Sequence, residues 1–129
     1  MAGTNSLILG SQTAAISNMV VRLMSQYTGR GPTKARTFIN DDLVTVVLQD
    51  TLTKAERTLL GRDHREIVLR ARRAIQDEMH ADLVSGLQEI LGRQVLALLA
   101  ANHPDPDYAV EVFILAPAAE NGSSPPALA

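Results

Sequence analysis

Four cations stand between residues 22 and 36 with no acid among them: Arg22, Arg30, Lys34 and Arg36. The last three lie in or just after the string Gly29-Arg30-Gly31-Pro32, whose residue types form turns. Glycines at 29 and 31 leave backbone N–H groups uncovered beside the charged side chains, and charge together with bare donors is what an anion site requires. Gly29, Arg30, Gly31, Lys34 and Arg36 are therefore the candidate anion- or partner-binding residues. The chemistry that suits them is a phosphate, a nucleotide or an acidic protein surface. A tight helix-to-strand turn with solvated basic residues explains the same string. A Gly-x-Gly that follows a helix is neither a dinucleotide fingerprint nor a P-loop.

The remaining chemically capable groups form no set. His103, Asp105 and Asp107 could be written as a metal site, but Pro104 and Pro106 between them make a turn the simpler account. Asp77 and His80 share a helix face, which a surface ion pair explains more simply than a catalytic dyad. No serine sits in a Gly-x-Ser-x-Gly elbow. The absence of cysteine excludes disulfides, thiolate metal sites, iron–sulfur ligation and cysteine nucleophiles. The expectation is a non-enzymatic chain with no catalytic residue, no metal and no cofactor.

Composition narrows the partners. At pH 7 the formal net charge is −2, so no global field recruits nucleic acid or an anionic membrane. Aromatics make up 3% of residues, too few for the stacking platforms of single-strand readers. A nucleic-acid-binding module, suggested by alternating helices and hairpins with a Gly-Arg-Gly turn, is the alternative that these two facts disfavour. A small enzyme with no recognisable active site is a third reading. The longest apolar run, Val95 to Ala101, is strand-sized, well below the roughly 18–20 residues of a membrane span. Leu7-Ile8-Leu9 is too short for a secretory core, so the expectation is a cytoplasmic chain.

The elements that must position these residues follow from periodicity. Ile16, Met19, Val20, Leu23, Met24 and Tyr27 step by three and four from Thr13, which predicts a helix closed by Gly29. Ala35–Ile39 and Leu43–Leu48 read as strands joined by a three-residue turn, Asn40-Asp41-Asp42. Leu43–Leu48 is apolar at both parities and belongs inside the sheet. Thr53-Lys54-Ala55-Glu56 is a capping box opening a short helix, and Asp63 with Glu66 repeats the arrangement before a long helix to Leu91. Residues 94–100 and 108–115 are strands with a turn over 102–107. The order α-β-β-α-α-β-β implies a small α+β domain: an antiparallel sheet of about four strands in two hairpins, with helices on one face. Residues 1–12 read as a flexible arm, 13–117 as the domain and 118–129 as a disordered tail.

The long helix, over 40 Å at about 1.5 Å per residue, exceeds what such a sheet needs. Its first half is basic, from Arg65 to Arg73, and Asp77, Glu78, Asp82 and Glu89 make its second half acidic. Its surplus length packs on the other helices or on a second copy, and its divided charge suits antiparallel pairing with that copy or a solvated helix with intrahelical pairs. The expectation is a homodimer with this helix in the interface.

Several separated motifs stand in a recognisable order. They are Gly29–Thr37, Asn40–Leu43, Leu52–Glu56, Gly92–Val95 and His103–Asp107, followed by Val110–Leu115. Together they resemble the MpsC-like domain over roughly residues 13–117. That bacterial family takes its name from one component of a sodium-translocating, membrane-potential-generating system. The resemblance implies association with a membrane bioenergetic system at the inner face of the membrane, in a regulatory or accessory role. It carries over no catalytic residue.

Overall fold

The computed structural model describes residues 2–118. Its elements are α1 (Ala2–Thr28), β1 (Lys34–Asn40), β2 (Leu43–Gln49), α2 (Lys54–Leu60), α3 (Arg65–Leu91), β3 (Val95–Pro104) and β4 (Asp107–Leu115). This is the α-β-β-α-α-β-β order read from the sequence. The four strands form one antiparallel sheet ordered β1-β2-β4-β3. Each hairpin supplies one edge strand and one central strand, and β2 joins β4 from Leu43↔Ile114 to Gln49↔Tyr108. α1 lies along β1 and α3 along β3, side by side on one face.

The core forms where the helix stripes meet alternate strand positions. Ile16, Val20, Met79 and Leu83 close over Val44, Val46, Leu48 and Phe113. Each such side chain contributes about 1.5–3 kcal/mol on burial, so this single layer accounts for much of the stability. Gly86 lets the helices approach: a Cβ there would sit 2.9 Å from Met19 Cγ and Sδ.

α1 and α3 each have 27 residues. They pack on one another, Gly86 of α3 against Met19 of α1 and the Tyr27 hydroxyl donating to Asp82 at 2.7 Å. The expected arm over residues 1–12 is helical from Ala2 onward. Its sequence contains no proline, and extending a helix already nucleated by the packed Ile16–Met24 stripe is easy. Leu7, Ile8 and Leu9 on this extension are exposed. Leu7–Thr28 is long and apolar enough to cross a membrane by length and composition, although the run-length reading gave no such stretch. Its inner stripe belongs to the core of the domain. Of the expected tail, residues 119–129 lie outside the described residues.

Three local expectations are corrected. The first hairpin turns through two residues, Asp41-Asp42, because Asn40 still pairs with Leu43 and Asp41 adopts a left-handed φ of 54°. β3 runs on to Pro104, since Asn102 pairs with Ala109 and His103 with Tyr108, leaving Asp105-Pro106 as the turn. Asp63 does not cap α3. With φ 67° it is the left-handed residue that closes α2, its N–H donating to the Leu60 carbonyl and that of His64 to Leu59. His64 holds the N-cap position of α3 and makes no side-chain cap bond. The Thr53–Glu56 capping box is formed in both directions.

Candidate functional site

The helix-to-strand turn is built by its glycines and by Arg30. Gly29 takes the left-handed conformation at φ 81° and its N–H donates to the Ser25 carbonyl at 2.9 Å. Gly31 runs against α1, where a Cβ would meet Val21 Cγ1 at 3.1 Å and the Val21 carbonyl oxygen at 3.3 Å. Arg30 reaches across to the β2–α2 connection. Its Nη1 donates to the carbonyls of Asp50 and Leu52, the latter at 3.1 Å, and its Nη2 to the Asp50 carboxylate at 2.7 Å. Arg57 of α2 pairs with the other Asp50 oxygen. The Arg30 guanidinium holds the Asp50 carboxyl below its ordinary value, desolvation opposing it and Thr33 and Arg57 assisting. The turn therefore directs Arg30 inward, toward a residue whose own backbone is left-handed at φ 58°.

Lys34 and Arg36 do something different. Both are exposed, at outward-facing positions of β1, and neither has an ion-pair partner among the described residues. Arg36 Cζ lies 5.1 Å from the centroid of the Phe38 ring, a cation–π distance. Of the five sequence candidates, three build the turn and two form a basic edge.

That edge borders the face of the sheet away from α1 and α3. Strand register assigns the face row by row. Phe38, Thr45, Val112 and Leu99 form one row, and Arg36, Val47, Val110 and Ala101 the next. Asn40, Leu43, Ile114 and Ala97 lie on one side of these rows; Lys34, Gln49, Tyr108 and His103 lie on the other. Valine and isoleucine line the centre, and no acid stands on the face. Leu99 is 56% exposed and Phe38 46%. No described element covers this surface.

On the covered side lies a polar cluster that the sequence reading assigned to a solvated basic helix end. Arg72 of α3 is 5% exposed. Its Nη2 donates to Thr51 Oγ1 at 2.7 Å, its Nε to Asn102 Oδ1 at 3.0 Å and its Nη1 to Glu56 Oε1 at 3.0 Å. Glu56 closes the capping box at the same time, through the Thr53 N–H at 2.8 Å. Thr51 donates onward to Asp107 at 2.8 Å. Nearby, Glu111 of β4 is 2% exposed and lines a cavity of about 10 Å³ with Arg72, Gln76, Thr28 and Met79. Burial pushes its carboxyl up from 4.5 to about 7, against the attraction of Arg72. A signal existed for both residues. Arg72 stands four after Val68 and seven before Met79, on the apolar stripe, and Glu111 shares strand parity with Ala109 and Phe113.

A cleft of about 580 Å³ opens beside α2, between Asp50, Arg57, Leu60, Pro104 and Tyr108. Asp107 on its wall is engaged by Thr51 and by the Leu52 N–H at 3.0 Å, and Asp50 by two arginines. Among the described residues, no group of three or more His, Asp or Glu side chains is arranged to hold a metal. His103 Nδ1 lies 2.8 Å from the Pro106 carbonyl, within its own hairpin.

A family model described as "Na+-translocating membrane potential-generating system (MpsC)" matches residues 9–117. The chain belongs to the MpsC family. Comparison with curated proteins and with solved structures finds no match. The MpsC match takes in all four strands and α2 and α3 entire. Several motifs that carried the resemblance prove to be joints of the MpsC fold. Gly92 is the left-handed end of α3 at φ 64°, and Arg93 beside it donates to the carbonyls of Asp41 and Ala116. Leu52–Glu56 and Asp107 tie the hairpins to α2. Their chemistry holds the domain together.

Proposed function

We propose that this chain is a non-enzymatic accessory domain that works beside a Na+-translocating, membrane potential-generating system, in the cytoplasm at the inner face of the membrane. Its contact with an acidic partner surface on that system is the basic edge of β1, Lys34 and Arg36. The single observation that carries the contact is the place of these two exposed, unpaired cations on an edge bordering an uncovered sheet face with no acid, while Arg30 is committed to Asp50. The description of the family supplies the setting. A free cation at an interface rim favours encounter with an acidic surface and makes binding sensitive to salt.

The test is co-sedimentation of purified chain with membranes from its native host, as salt is raised. Binding that weakens with salt and falls severalfold in Lys34→Gln/Arg36→Gln supports the proposal. Equal binding to protein-free vesicles of anionic lipid moves the contact from protein to lipid. Binding unchanged in the double variant removes the edge as the contact.

A further inference from the structure

We infer that the bare face of the sheet is the interface of a homodimer, occupied by the same face of a second copy. In this dimer Lys34 stays at the rim and Arg36 overhangs the partner's edge, so the inference shares Arg36 with the proposed contact.

Four strands at about 4.8 Å and seven residues at about 3.3 Å give a face of roughly 19 by 23 Å. Two such faces together cover about 900 Å², at the low end of the scale where weak, reversible interfaces lie. Its centre, Val47, Val110 and Val112, consists of short branched side chains half-buried by their neighbours, the surface on which a second sheet packs about 10 Å away.

The distribution of charge and size selects the copy and its orientation. All formal charge on the face sits on β1, at one edge, and the opposite edge β3 presents the small residues Ala97 and Ala101. A two-fold axis parallel to the strands lays β1 of one copy over β3 of the other. Arg36 then extends over the partner's Ala101, Asn40 over the partner's Ala97, and Phe38 meets the partner's Leu99. The two basic edges are held about 14 Å apart across the sheet. An axis perpendicular to the strands would stack β1 on β1 and bring the arginines together. Large against small at the Arg36 and Asn40 rows, apolar against apolar at the Phe38 row and like charges separated is self-complementarity of an isologous kind.

Sedimentation equilibrium of the full chain between 1 and 200 μM tests this. The expected result is a dimer that dissociates in the micromolar range. Phe38→Glu and Leu99→Lys, both at exposed edge positions that tolerate a charge in the monomer, should each weaken it at least tenfold. The double variant Phe38→Glu/Leu99→Lys should recover most of the loss, because the opposite charges face each other only between copies. Within one chain they are three strands apart. Leu7→Ser/Leu9→Ser, on the exposed start of α1, should leave the dimer intact. A monomer at 200 μM overturns the inference. So does a dimer that ignores both face variants, or one that dissolves with the α1 variant. Recovery absent from the double variant overturns the assigned axis. Because Lys34→Gln alone leaves Arg36 and the packed rows in place, its membrane co-sedimentation reports on the basic edge apart from the dimer, and the two failures are separately visible.

Discussion

Replacing Glu111 with glutamine should flatten the pH dependence of stability. Glu111 is 2% exposed, and the cavity it lines is only large enough for about one water. The polar groups there are Arg72 and Gln76 from α3 and Thr28 from α1. Arg72 directs its hydrogen bonds to Thr51, Glu56 and Asn102. Its attraction offsets only part of the desolvation, so the carboxyl titrates near 7 in place of 4.5. A carboxyl moved by that amount destabilises the folded state by about 3 kcal/mol once it is charged, at 1.36 kcal/mol per pH unit. The sign follows from proton counting. Between pH 4.5 and 7 the folded chain holds a proton that the unfolded chain has released, so raising pH through this window lowers stability. Below 4.5 both states are protonated and the cost vanishes. Other carboxylates titrate too, so the informative quantity is the difference between Glu111→Gln and the parent. Urea unfolding followed by circular dichroism at pH 4.5, 6, 7 and 8 measures it. The advantage of the glutamine variant should grow by about 3 kcal/mol across the series, whatever constant offset the amide adds. A difference that stays level within about 0.5 kcal/mol would refute the burial argument, because a surface carboxylate behaves that way.

Other substitutions test the remaining contacts. Arg72→Met leaves Glu56 and Glu111 without their cation and should destabilise by about 3–5 kcal/mol in the same assay at pH 7, the range for breaking a buried pair. Arg30→Gln should lower Tm by several degrees, because two carbonyls and the Asp50 carboxylate lose a donor, whereas Lys34→Gln/Arg36→Gln should leave Tm nearly unchanged. Equal effects would mean that Arg30 is as free as the other two. Gly29→Ala should cost about 1–2 kcal/mol for its left-handed backbone. Asp63→Gly should be neutral or stabilising by up to about 1 kcal/mol, the opposite of what loss of an N-cap would give.

Much of the architecture follows from the chain alone. The three-and-four spacing of Ile16 to Met24, the β-branched run of Leu43–Leu48 and the Thr53–Glu56 capping box are local signals, and local signals set element type and order. Two hairpins separated by helices imply an antiparallel sheet because short connections permit little else. What residues 2–12 do was not legible, since extension of α1 depends on the packed stripe that follows rather than on their own pattern. Asp63 was misread because an aspartate before a helix and an aspartate ending one look alike until φ is known. The turn at Gly29–Arg36 was visible as a cluster of cations. Whether a cation points at Asp50 or at solvent depends on where the β2–α2 connection passes, which no spacing encodes. Burial of Arg72 and Glu111 was half-written in helix and strand parity, but their neighbourhood exists only once α1, α3 and β4 meet. The bare sheet face is the clearest case. Alternation shows that Val110 and Val112 share a side, and β2 reads as apolar on both. Only the packing of both long helices onto the same layer decides which side stays uncovered.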